Sequence, residues 1–153
     1  MPNWCRNRVT VYSDVKEPIE KITKIFENKN KIFGQIIEEP DWKRLPNEKG
    51  EFPVLEQHKN PKTGEVIFET YNFPDGKNDD RWYEWNCTNW GTKWDITAKS
   101  VDFGYEDDEQ LEMEFETAWA PPEPICYRLR EMFENLHITW FYDEPGMQTA
   151  GYL

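Results

Sequence analysis

Trp82, Trp85, Trp90 and Trp94 fall within thirteen residues, interleaved with Arg81, Glu84, Asn86, Asn89, Lys93 and Asp95. This mixture of residue types suits a planar ligand. Indole faces stack on a base, a cationic head meets phosphate, and amides and carboxylates set orientation. The segment therefore reads as a candidate pocket for a nucleotide-like molecule, built from Arg81, Trp82, Trp85, Asn89, Trp90, Lys93, Trp94 and Asp95. It also reads as a satellite core, because each indole buries a large area and needs one acceptor. Eight tryptophans in one chain cannot all line a pocket, which weighs toward the core reading. Glu84 and Asp95 flank the segment and offer an acid–base pair for a hydrolase or transferase. Ion pairs with Arg81 and Lys93 account for them as well.

A second set of carboxylates has strand spacing. Glu112, Glu114 and Glu116 alternate with Leu111, Met113 and Phe115, so the three share one face of a strand. Asp102 takes the same parity on the preceding strand, and Arg6 and Arg8 take it on a neighbour. One account of this face is cross-strand Arg–Glu pairing in solvent, worth about 0.2–1 kcal/mol per pair. The other is an acidic docking surface for a basic patch on a partner protein, of the kind that normally holds nucleic acid. RNA-binding domains of similar topology carry aromatic and basic residues where this strand carries a carboxylate stripe, so direct nucleic-acid binding is not expected. The formal charge of −12, from 30 acidic against 18 basic residues, points the same way. Acidity of this size also aids solubility.

Other chemistry finds little purchase. His58 and His137 have no metal-ligand spacing, and no phosphate-binding loop, dinucleotide fingerprint or nucleophile elbow occurs. Neither a metal nor a cofactor is expected, and the chain reads as non-enzymatic. Cys5, Cys87 and Cys126 are odd in number and lack C-x-x-C spacing, which predicts reduced, packed thiols. With 16% aromatic residues the chain is too rich in core formers to be a disordered acidic tail. The N-terminal residues contain no apolar signal segment, and no run approaches a membrane span. A soluble protein of the cytoplasm is the expectation.

The elements follow from periodicity. Trp4–Tyr12 alternates with Asn7, Val9 and Val11 on one face, a half-buried strand. Ser13 and Asp14 offer a cap to a helix over 15–29 that carries Ile19, Ile22, Ile25 and Phe26 on one side. Residues 30–80 are punctuated by prolines, with turns at 47–50, 62–64 and 74–76 and a short strand over 65–73. Asp79 or Asp80 caps a short helix through Trp90 that Gly91 stops, with Trp82, Trp85 and Trp90 roughly on one side. Val101, Phe103 and Tyr105 alternate, a tight acidic turn spans 106–109, and Leu111 to Thr117 alternates again: a β-hairpin. Pro121 and Pro122 open a helix through Asn135. Leu136–Tyr142 is a strand, and residues 147–153 add an edge. Apart from the middle stretch the order is βαββαβ, a ferredoxin-like α+β plan with an antiparallel sheet and two helices on one face. One domain over 1–153 is expected, with a large Trp-rich insertion over about 31–95 between the first helix and the second strand.

Four stretches also carry a family likeness. They are the opening Pro2-Asn3-Trp4-Cys5-x-Asn7-x-Val9 and the block Arg81-Trp82-x-x-Trp85-Asn86-x-x-Asn89-Trp90-Gly91-Thr92-Lys93-Trp94-Asp95. Phe115-x-Thr117-Ala118-Trp119-x-Pro121-Pro122-x-Pro124 and Tyr142-x-Glu144-x-Gly146 with Ala150-Gly151 complete the set. Together they resemble the YubB-like ferredoxin-like proteins of phages and plasmids, a family of unknown function. The resemblance runs the length of the chain and implies a mobile-element accessory protein with a ferredoxin-like domain. It implies no reaction and carries no catalytic residues. The leading expectation is thus an accessory protein that binds and inhibits a host protein, one of anti-phage defence, by docking Glu112, Glu114, Glu116 and Asp102 on a basic surface. The alternative is a sponge for a nucleotide signal at Trp82–Asp95.

Overall fold

Along β1 (Trp4–Tyr12) Cys5, Asn7, Val9 and Val11 are buried, while Trp4, Arg6, Arg8 and Tyr12 are exposed. That parity places β1 at the centre of a sheet with one covered face. In the computed structural model, which describes residues 2–153, β1 pairs antiparallel with β5 (Gln110–Ala118) on one side and β6 (His137–Glu144) on the other. The outer strands are β4 (Asp102–Glu106) beside β5 and β7 (Thr149–Tyr152) beside β6, giving the order β4-β5-β1-β6-β7.

Three helices supply the cover. In α1 (Lys16–Phe26) Ile19, Ile22, Thr23 and Phe26 are buried, and the helix packs on β5. It stops three residues short of the expected end, because the Asn28 side chain accepts the amides of Asn30 and Lys31 and begins a turn instead. Ser13 serves the amide of Val15 rather than an amide inside the helix. The four-residue α2 (Phe33–Ile36) and α4 (Glu123–Met132) complete the layer, with Ile125, Cys126 and Leu129 turned inward. A buried polar chain crosses the core. Asn7 donates to the Thr117 hydroxyl at 2.9 Å and accepts from the Trp140 indole at 3.0 Å, and Thr117 donates to the Ala120 carbonyl. Every polar atom in that chain has a partner, as burial requires.

One strand departs from simple alternation. In β4 the register shifts between Phe103 and Tyr105, so Phe103 lies opposite Met113 but Tyr105 lies opposite Glu112. This bulge at Gly104 moves Tyr105 to the face that Asp102 occupies, whereas alternation puts Tyr105 with Phe103 on the opposite face.

The chain divides into two compact units, one comprising residues up to Glu38 with Asn86–Leu153 and the other Glu39–Trp85. The expected insertion over 31–95 is therefore too wide. Ile32, Phe33, Ile36, Trp90 and Ile96 are buried among the first unit's core residues.

The Glu39–Trp85 unit holds a two-stranded antiparallel sheet, β2 (Val54–Lys59) with β3 (Val66–Asn72), joined by the turn that Gly64 closes at φ 73°. Strand β3 matches the expectation for 65–73, whereas β2 was not anticipated. Its organiser is Arg81, at the start of α3 (Arg81–Asn89). Both its Nε and one terminal nitrogen bind Asp79 at 2.8 Å. Its terminal nitrogens also donate to the carbonyls of Trp42, Leu45 and Pro46, and its plane lies 5.1 Å and 5.2 Å from the rings of Trp42 and Phe73.

Candidate functional site

The uncovered face of the five-stranded sheet collects the charges that parity placed there. Arg6 lies opposite Glu116 and Arg8 opposite Glu114 in register, with Asp102 opposite Glu114 on the far side. The ion pairs do not follow that register. Arg6 and Arg8 both turn to Glu114, at 3.2 Å and 3.8 Å. Glu112 accepts a hydrogen bond from Gln110. Asp102, Glu112 and Glu116 make no ion pair among the described residues, so the face keeps uncompensated negative charge beside exposed aromatic rings. Across the sheet, Phe141 and Tyr152 pair at 5.1 Å.

At one end of this face the strands border a cleft of about 570 Å³, whose lining includes Trp4, Arg6, Trp94, Asp95, Lys99, Asp102, Glu114 and Glu116. Two residue sets that sequence spacing kept apart, the acidic stripe and the end of the Trp-rich block, meet here. The local chain explains why Trp94 stays outside the core. Asn86 donates to the Lys93 carbonyl, Thr92 donates to the Ala118 carbonyl, and both anchors are buried. On the other side, the Asp95 carboxylate accepts the amides of Ile32, Phe33, Gly34 and Ile96. It thus caps α2 from a distance in sequence, as carboxylates do at helix starts. Between those anchors Lys93 and Trp94 are held at the surface.

Three exposed tryptophans gather around this point: Trp4, Trp94 and Trp119 are 43%, 39% and 41% exposed. Trp4 and Trp94 lie 6.2 Å apart with planes 34° from parallel. The Lys93 ammonium sits 4.5 Å from the Trp94 ring and 5.2 Å from that of Trp119. Trp119 adopts φ 68°, a region costing a bulky residue about 1–3 kcal/mol. Its amide bonds to the Asn3 carbonyl, which helps hold that conformation.

Arg81, Trp82 and Trp85 belong to the Glu39–Trp85 unit, and Asn89, Trp90, Lys93, Trp94 and Asp95 to the other. Trp90 is 1% exposed, donates its indole proton to the Ile37 carbonyl at 2.9 Å and meets Phe33 edge-on. It is a core residue with no face left to stack a base. Trp82 packs edge-on against Tyr83. Arg81 is saturated by Asp79 and three carbonyls. The hydrogen bonds that Arg81 donates to Asp79 raise the Arg81 pKa and lower that of Asp79. Asp95 spends its oxygens on four amides, and Glu84 is exposed. Gly91, expected to end α3, has φ 81°, and a Cβ there would lie 2.9 Å from Pro124.

The remaining reactive groups are quiet. Burial pushes the thiols of Cys5 and Cys126 up to about 11, so both stay protonated near neutrality. His58 stacks on Phe68, and among the described residues no group of His, Cys, Asp and Glu is arranged to hold a metal ion. No described helix is long and apolar enough to cross a membrane. Trp4 and Trp119 were not singled out as site residues by spacing. For Trp4 a signal existed: its parity on β1 is that of Arg6 and Arg8, the polar face.

Residues 89–153 match the family model described as the ferredoxin-like domain in Api92-like protein. The fold is ferredoxin-like. The crystal structure of the protein api92 from Yersinia pseudotuberculosis aligns with this chain at a TM-score of 0.51 and 11% identity, covering 99% of this chain and 93% of that one. At that identity the ferredoxin-like likeness speaks to the fold alone. A search of curated proteins finds no match to the chain.

Proposed function

We propose that this protein is a non-enzymatic binding protein that presents the open face of its ferredoxin-like sheet to a basic surface on another protein. The observation that carries this reading is the sharing of Glu114 by Arg6 and Arg8, with Asp102, Glu112 and Glu116 left without an ion pair among the described residues. A face of that kind steers a basic partner and repels an acidic one. The resemblance to proteins of phages and plasmids supports a host protein as that partner, with blockage of anti-phage defence as the outcome of docking in the cytoplasm. In the same reading, Glu39–Trp85 is an insertion into a βαββαβ plan.

The nucleotide-sponge reading has less support. Of its residues Trp90 is core and Arg81 and Asp95 are committed to structure, while Lys93 lies over the exposed Trp94 ring.

Capture of host-cell proteins by immobilised wild-type chain and by a Glu112→Lys, Glu114→Lys, Glu116→Lys variant tests the proposal. A specific partner retained by the wild type, released by raised salt and absent from the variant is the expected result. Equal retention by both chains would overturn the acidic-face mechanism.

A further inference from the structure

Resting on the reading of the open face as a protein-docking surface, we infer that the cleft beside Trp4 receives an arginine side chain of the partner. Four observations converge. The cleft is a real concavity of about 570 Å³ rather than a flat stripe. Its aromatic wall is made of Trp4 and Trp94, both well exposed, and indole faces attract cations more strongly than other rings do. Its polar wall contains Asp102 and Glu116, neither of which has an ion pair among the described residues. Finally, the neighbourhood already accommodates a cation between indoles, because Lys93 lies over both Trp94 and Trp119. Trp4 has no cation of its own among the described residues.

The chemistry favours a guanidinium over an ammonium. A guanidinium is planar and weakly hydrated, so it stacks on an indole while its edge meets a carboxylate in a two-pronged bond. An ammonium can do only one of these well. The chain's own Arg6 does not fill the role, since its Nε is bound to Glu114. Lys99 and Arg6 also line the cleft and would suit an anion, so an anion is the occupant that the test must distinguish.

The experiment is a titration of the full chain, followed through its indole N–H resonances, with short peptides of alternating glycine and arginine, glycine and lysine, or glycine and glutamate. The arginine peptide is expected to shift the Trp4 and Trp94 signals while leaving that of buried Trp90 in place. Trp4→Ala should weaken the arginine peptide about tenfold, within the range that a cation–aromatic contact spans, and Trp4→Phe should recover part of the loss. Glu116→Gln, an exposed substitution that leaves the aromatic wall intact, should weaken it as well. Preference for the glutamate peptide, equal affinity for lysine and arginine peptides, or arginine binding indifferent to both Trp4→Ala and Glu116→Gln would each overturn the cleft assignment. Loss of arginine-peptide binding in the triple lysine variant alone, with Trp4→Ala and Glu116→Gln unaffected, would remove the cleft and leave the acidic face standing.

Discussion

Arg81 and the pair Arg6 and Arg8 meet carboxylates in opposite ways. The Asp79 side chain is 4% exposed and that of Arg81 24%, and the guanidinium has two oxygens, three carbonyls and two rings around it. Arg6 and Arg8 are about half exposed, share one carboxylate, and have no further ion pair among the described residues. A saturated, desolvated pair is architecture, because breaking it strands a charge. A shared, exposed pair is worth little to folding and leaves neighbouring carboxylates free for another molecule. The same contrast divides the tryptophans. Trp90 and Trp140 are buried with their indole protons on internal acceptors, whereas Trp4, Trp94 and Trp119 are about two-fifths exposed.

The largest expected effect comes from breaking the saturated pair. Asp79→Ala should lower stability by about 3 kcal/mol, the lower end of the range for a broken buried pair because Arg81 keeps some exposure and its carbonyl partners. Denaturant unfolding of the full chain measures it, and a loss below a few tenths of a kcal/mol would erase the contrast. The pair also sets a pH dependence. The pKa of Asp79 is held below its ordinary 3.8 chiefly by the hydrogen bond from Arg81, so its stabilisation is present above that value and is lost as pH falls through the lower folded-state value. Asp79→Asn should flatten the acid side of the stability profile, and an unchanged profile would assign acid unfolding to other groups.

Next in size is Asp95→Ala, which strips four backbone amides of their acceptor and should cost about 1–2 kcal/mol, at the upper end for a helix cap. It should also release Trp94, read as a changed fluorescence maximum in the folded protein. Smallest is Glu114→Ala. Its two ion pairs are exposed, so stability should change by less than about 1 kcal/mol. A larger loss would place the open face among the structural parts of the molecule.

The legible parts of this fold were those where one face meets a core and the other meets water. Along β1 and most of β5 and β6 burial alternates, and the strands lie within two residues of where parity put them. The bulge at Gly104 was not legible, because one extra residue reverses every later side chain of β4 and leaves composition unchanged. Strand β2 was missed for a different reason. Val54 and Leu55 are exposed beside Glu56, Gln57 and His58, so no buried face exists to print a period on the sequence. The Trp-rich block divides between the two compact units. Helical spacing put Trp82, Trp85 and Trp90 together, but compactness divides the chain at Trp85, and the requirement for an acceptor turned Trp90 inward. The acidic stripe was placed correctly, yet its neighbour Trp94 reaches the same cleft through anchors at Thr92 and Asp95, whose partners are distant in sequence.

The account's central claim concerns the sign of the charge that this face presents. Arg6 and Arg8 are its only cations on β1, and they compete with any basic partner for Glu114. The direct measurement is the affinity of the Arg6→Ala, Arg8→Ala variant, against wild type, for the glycine–arginine peptide and for any captured host partner at low salt. Freed carboxylates should tighten binding about threefold or more, an effect that fades at high salt. Weaker binding by the variant would mean that the arginines themselves do the recognising, and would contradict the acidic docking face.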